Sequence, residues 1–234
     1  MKRFGASPSR PGFDTSSYPA SRASSRETAV RASNRAADGG ANGVSQQGYS
    51  LHDLSAIPDD LPVPVDDGAA AHLAGMRIPS VPLPATDGTT VDLSAIPGTV
   101  VVFAYPRTGR PGEPPFVPEW DAIPGARGCT PHTCGYRDLD AEFAALGARV
   151  FGLSTQDTAY QQEMVERLGV PFPVLSDEHL ALAHALRLPT MDVGGVTLLK
   201  RIAWIARTGT IERVFYPVFP PDRNAADVLA ALRP

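Results

Sequence analysis

The chain has 234 residues, enough for one domain with additions. Its 25 acidic and 21 basic side chains leave a net charge of −4, so nothing in the charge balance calls for nucleic acid or an anionic membrane as partner. Two cysteines in so long a chain do not make a secreted disulfide framework and suit a reducing compartment, where a disulfide is transient and catalytic. No apolar run approaches the ~18 residues of a membrane-spanning helix.

Residues 1–50 are rich in Ser, Ala, Arg and Gly and lack hydrophobic periodicity, the composition of a disordered tail. The tail has no apolar core of a secretory signal. It is Arg- and Ser-rich like an organelle transit peptide, although Asp14 and Glu27 argue against that reading. Residues 51–74 read as an extended lead-in, with a short helix over Asp66–Leu73. The folded domain is expected over residues 75–234.

Within that domain, Val81–Pro84 and Thr90–Leu93 flank the turn signal Thr86-Asp87-Gly88 and predict a hairpin. The continuous apolar run Val100–Tyr105 predicts a central strand. Residues 107–123 form a long Pro- and Gly-rich insertion, of the kind usually kept for function. A helix carrying both cysteines is expected to run to about Leu146. Then follow a strand Arg149–Ser154, a helix Ala159–Leu168, a short strand Pro173–Ser176 and a helix His179–Leu186. The chain ends on a hairpin, Ile202–Ala206 with Ile211–Tyr216, and a helix Asp222–Leu232 capped by Asp222. This order predicts a thioredoxin-like α/β fold, a mixed central sheet flanked by helices.

The chemistry concentrates in Pro124–Asp138, PGARGCTPHTCGYRD, which holds Cys129 and Cys134. A helix N-terminus presents unpaired N–H groups and positive dipole charge, and Arg127 and Arg137 lie close in sequence; all favour a thiolate. Gly, Pro, Thr and Arg crowd this stretch, which disfavours a reading as two small core hydrophobes. The spacing is not the C-x-x-C of a redox motif, and zinc needs four ligands where only His132 is near. His132 itself reads more readily as a solvated residue than as one that tunes the thiols, and His179 and His184 as surface or helix-end residues.

Gly128-Cys129-Thr130-x-x-x-Cys134-x-x-Arg137-Asp138 resembles the signature of the Q-type peroxiredoxins, the bacterioferritin-comigratory-protein-like group, with Tyr136 where that family has Phe. The resemblance extends from about Gly75 to Leu232. It implies the same thioredoxin-like fold, attack on peroxide by Cys129 and resolution by Cys134. It also implies that Arg201, opening the strand Ile202–Ile205, helps hold the peroxide. The family pattern P-x-x-x-T-x-x-C is broken here, because Ala126 stands three residues before Cys129 and the matching proline, Pro106, precedes the insertion. Thr108 and Thr130 are the candidates to supply the missing hydroxyl.

The implied activity is a thiol peroxidase acting on hydrogen peroxide and organic hydroperoxides. It is recycled by thioredoxin or a similar dithiol, needs no cofactor or metal, and has no nucleic-acid or membrane partner. The chain is expected to be a monomer or weak homodimer in the cytoplasm, or in an organelle if the tail is a transit peptide. Two rivals stay open: a thiol–disulfide reductase on the same fold, and a non-enzymatic redox sensor. Peroxide-dependent oxidation of a thioredoxin system distinguishes the first, and a bound client protein the second. On an intact helix, residues five apart lie ~8.7 Å apart at Cα, beyond the ~7 Å limit for a disulfide, so the helix is expected to unwind during turnover.

Overall fold

The computed structural model describes residue 54 and residues 57–233. The expected tail, residues 1–50, lies outside the described residues.

Five strands form the main sheet, in the order Val174–Ser176, Ala148–Ser154, Thr99–Ala104, Ile202–Arg207 and Thr210–Phe215. The centre is β3 (Thr99–Ala104), flanked by β4 (Ala148–Ser154) in parallel and β8 (Ile202–Arg207) in antiparallel register. β5 (Val174–Ser176) continues the parallel side and β9 (Thr210–Phe215) the antiparallel side. The uninterrupted apolar run of β3 is explained by burial on both faces. Val100, Val102 and Ala104 face one core with Leu153, Ile202 and Trp204, whereas Val101, Phe103 and Tyr105 face the other with Val150, Met164 and Ile205.

The second face carries the cysteine helix, α1 (Cys129–Asp138), with α2 (Asp140–Ala145), α3 (Thr158–Leu168) and α5 (Asn224–Leu232). The first face is covered by α4 (Ala181–Leu186), by the small hairpin β1 (Pro82–Pro84) and β2 (Thr90–Asp92), and by residues ahead of Gly75. The mixed sheet flanked by helices is the thioredoxin-like α/β architecture that the element order predicts.

Several local expectations are corrected. The cysteine helix does not run unbroken to Leu146: Leu139, at φ −108° and ψ 10°, separates α1 from α2. The break lets Phe143 reach the core, where it stacks on Tyr136 with ring centroids 5.6 Å apart. No helix spans Asp66–Leu73; the Asp66 and Asp67 carboxylates instead accept from the N–H groups of Gly68 and Ala69. Such local bonds compete with helix formation. The helix expected from His179 starts at Ala181, and the Asp177 carboxylate accepts from the N–H groups of Leu182 and Ala183. Asp222 does not cap the last helix, because it lies inside a 3₁₀ turn, Pro221–Arg223, that leads into α5.

A further hairpin, β6 (Thr190–Val193) and β7 (Val196–Leu199), was not expected. Gly194 and Gly195 both take positive φ at its two-residue turn, the geometry that this hairpin class demands. Its Val193 and Leu198 pack against Trp120 of the 107–123 insertion, so the insertion has a small core of its own.

Packing begins ahead of Gly75. Ala70 and Leu73 are buried in the main core, while Asp67 pairs with Lys200 and accepts from the Tyr216 hydroxyl. Leu73→Ala should therefore lower the unfolding free energy by about 2–5 kcal/mol. Urea titration checks this; a loss below about 0.5 kcal/mol would show that the segment is not part of the cooperative fold.

Candidate active site

Cys129 opens α1. Gly128 ahead of it sits at φ 100°, and a Cβ there would meet Pro221 Cγ at 2.5 Å, so only glycine lets the chain turn into the helix at this point. The loop after β9 thereby closes against the start of α1. Cys129 is 4% exposed and donates its S–H toward the Ala126 carbonyl at 3.5 Å, while Cys134 is half-buried further along the same helix. Both thiols are free.

Arg201 is the cation at the first sulfur. It is 3% exposed, directly ahead of β8, and its Nη2 donates to Cys129 Sγ at 3.3 Å. The same nitrogen donates to the carbonyls of Gly125, Ala126 and Arg127 at 3.3, 3.2 and 3.0 Å. Lys200 beside it turns away to Asp67. The two arginines nearest in sequence are committed elsewhere. Arg127 Nη1 contacts both Asp121 carboxylate oxygens, at 3.1 and 3.0 Å, and Arg137 pairs with Asp138 and donates to the Leu168 carbonyl.

His132 is not solvated. It is fully buried, with Nδ1 at 3.0 Å from Arg201 Nη1 and Nε2 at 3.0 Å from Asn224 Oδ1. A guanidinium only donates, so Nδ1 accepts and the proton resides on Nε2. The Tyr136 hydroxyl donates to the same Asn224 oxygen at 2.7 Å. The tyrosine that replaces a family phenylalanine thus has a use: it anchors the chain Tyr136–Asn224–His132–Arg201–Cys129. Asn224, at the start of α5, had no signal in the sequence beyond standing near a helix start.

Thr108 and Thr130 come together with Cys129 around one cavity of about 30 Å³. Thr108 is held by Gln156, whose Oε1 accepts from the Thr108 N–H at 2.8 Å and hydroxyl at 3.0 Å, and whose Nε2 donates to the Thr108 carbonyl at 3.1 Å. With its hydrogen committed, the Thr108 oxygen retains lone pairs for a donor in the cavity. Ala126 contributes only backbone. Cys134 does not line this cavity; Arg137 lies beside it, but burial dominates and pushes its thiol up. Among the described residues no cluster of three or more His, Cys, Asp or Glu side chains is placed to hold a metal ion, and no helix is long and apolar enough to cross a membrane.

Burial, reinforced by the Arg201 charge and opposed by the Asn224 bond, holds the His132 imidazole well below its ordinary value. The unfolded chain then binds a proton that the folded chain excludes. The resulting stability is present above about pH 6.5 and is lost as pH falls below it. His132→Gln should remove that part of the acid-side loss, read from urea titrations across pH; an unchanged slope would contradict a buried neutral His132. Asn224→Ala, which strands two buried donors, should cost about 1–3 kcal/mol by the same measurement.

The redoxin family model matches residues 73–232. Peroxiredoxin Q of Oryza sativa subsp. japonica, described as chloroplastic, is 28% identical over 160 residues, 68% of this chain and 66% of its own. The chain thus spans just under two thirds of that relative's length. Peroxiredoxin bcp1 of Schizosaccharomyces pombe is 29% identical over 185 residues, 78% of this chain and 85% of its own. Among solved structures, peroxidoxin BcpB from Mycobacterium tuberculosis aligns with a TM-score of 0.55 and 28% identity, covering 68% of this chain and 96% of that one. Xanthomonas campestris peroxiredoxin Q aligns with a TM-score of 0.52 and 25% identity, covering 74% and 95%. With a family model matching well over half its length, the chain belongs to the redoxin family, and the relatives and solved structures it resembles are peroxiredoxins of the Q type.

Proposed function

We propose that the chain reduces hydrogen peroxide and organic hydroperoxides with Cys129 as attacking thiol, Cys134 as resolving thiol and a thioredoxin-like dithiol as reductant. The observation that carries this reading is the Arg201 guanidinium on Cys129 Sγ at 3.3 Å, at the first residue of α1. Cys129 as thiolate attacks the distal peroxide oxygen. The S–O bond forms, the O–O bond breaks, and the leaving oxygen takes a proton and departs as water or an alcohol. Arg201 donates to the reacting oxygens, and Thr108 accepts from the hydroperoxide O–H in place of the hydroxyl missing at Ala126. Thr130 lines the same cavity.

Cys134 then displaces hydroxide from the sulfenic acid, which leaves with a proton as water and forms the disulfide. A dithiol reduces that disulfide by exchange. A reducing compartment, the cytoplasm or an organelle interior, supplies such a partner, and a monomer or weak homodimer suffices because both thiols lie on one helix.

Resolution requires motion. Both cysteines lie on the continuous helix α1, where residues five apart are too far apart at Cα, ~8.7 Å, to bridge. Opening α1 must also release its clamp, the approach of Asp222 O and Ala225 Cβ to Gly135, where an added Cβ would meet them at 3.1 and 3.5 Å. The same opening exposes Cys134 to water and relieves the burial that keeps it protonated.

Cys129→Ser should abolish thioredoxin-dependent turnover, because a serine hydroxyl is a poor nucleophile at its ordinary pKa. Cys134→Ser should consume about one peroxide per chain and stall as a sulfenic acid that overoxidises, visible as added oxygens in the mass spectrum. Retained turnover in the first variant, or no adduct in the second, would sink the role assignment. Disulfide closure in the native chain should accelerate as pH rises toward and beyond the ordinary thiol range near ~8.5, since burial pushes the Cys134 thiol up. Amide exchange across residues 130–139 should be faster in the oxidised than in the reduced protein; equal protection would rule out opening of α1.

A further inference from the structure

A second cavity, of about 270 Å³, opens beside the one at Cys129 and shares Arg107, Thr108, Trp120 and Arg127 with it. It is far larger than the ~30 Å³ share of one water and approaches the ~300 Å³ at which pockets begin to take whole organic ligands. Hydrogen peroxide alone does not need this space. Its walls come from the 107–123 insertion and from α3: Pro114, Pro115, Phe116, Trp120 and Tyr160. Most of the lining is apolar, yet it contains three arginines.

The charges in the wall do not cancel. Arg127 pairs with Asp121, and Arg110 lies 3.8 Å from both Glu113 and Glu163. Arg107 Cζ lies over the rings of both Phe116 and Tyr160, 4.6 and 4.8 Å from their centroids, and no carboxylate pairs with it among the described residues. Stacking on aromatic faces holds the guanidinium plane while leaving its edge N–H groups available for bidentate donation to a carboxylate.

Resting on the peroxidase reading above, we propose that the insertion builds a substrate pocket for an organic hydroperoxide carrying a carboxylate. The carboxylate binds the edge of Arg107. The organic body packs on Phe116, Trp120 and Tyr160. The hydroperoxide reaches Cys129 past Thr108, where the O–O bond breaks, the sulfur gains one oxygen and the carboxylated alcohol leaves.

The test compares three substrates at low salt: hydrogen peroxide, cumene hydroperoxide and its para-carboxylate. Single-turnover rates of Cys129 oxidation are measured in the native chain, Arg107→Gln and Phe116→Ala. The native chain should prefer the carboxylated to the neutral aryl hydroperoxide by roughly tenfold, and Arg107→Gln should lose that preference, the scale of one hydrogen bond to a charged group. Phe116→Ala should lower both aryl rates relative to hydrogen peroxide. The carboxylated alcohol, which cannot react, should bind the native reduced protein in calorimetry and bind Arg107→Gln roughly tenfold more weakly. A native chain with no preference, or the same preference in Arg107→Gln, overturns the pocket. Binding of the alcohol through Arg107 in a protein that reacts with no peroxide would uphold the pocket and sink the peroxidase reading instead.

Discussion

The site depends on how the hydrogen bonds of one buried guanidinium are satisfied. Arg201 sits almost entirely out of water, where an unpaired charge is expensive. Its neighbours are three backbone carbonyls, a neutral imidazole nitrogen and the Cys129 sulfur. The carbonyls offer only partial charge, so the sulfur is the member of this cage able to carry a full negative charge. The same bonds tie residues 125–127 to the start of β8, so the turn into α1 is built around this cation.

This arrangement sets two requirements on α1 that pull against each other. Intact, the helix holds Cys129 beside Arg201 and buries His132, Thr133 and Tyr136 against β3 and α5. Opened, as the proposed resolution step requires, it would let Cys134 reach Cys129. The close approaches at Gly128 and Gly135 show how tightly the intact form is packed against the Pro221–Ala225 segment. Glycine at 135 is also a weak helix former, and Pro131 withholds an N–H, so the helix is intrinsically easy to unwind once that packing is released. Stability of the closed form therefore comes from tertiary contact rather than from helix propensity.

The insertion bears on a departure visible in the primary structure. Moving Pro106 away from Cys129 removes the family's hydroxyl-bearing turn, and Ala126 cannot replace it. Thr108 lines the same cavity because Gln156, 48 residues away in the chain, holds its backbone and side chain together. The added length meanwhile folds over Trp120 and the β6–β7 hairpin instead of remaining a loose loop.

Local residue patterns by themselves determined the cysteine motif, the buried central strand, the order of helices and strands and hence the fold class, because period, turn chemistry and spacing are properties of neighbouring residues. Arg201 was pointed to by the resemblance to the peroxiredoxin signature and not by any local pattern. The Gly194-Gly195 pair was a legible hairpin signal that the pattern of longer runs passed over. Only the tertiary structure decided which arginine meets Cys129, since Arg127 and Arg137 are near in sequence but engaged by Asp121 and Asp138. It alone turned His132 from an expected surface residue into the support of Arg201, and joined it to Asn224 and Tyr136. Those partners lie 69 to 92 residues apart along the chain, and a side chain's charge partner or burial at that separation is set by how the elements pack, which no local pattern encodes.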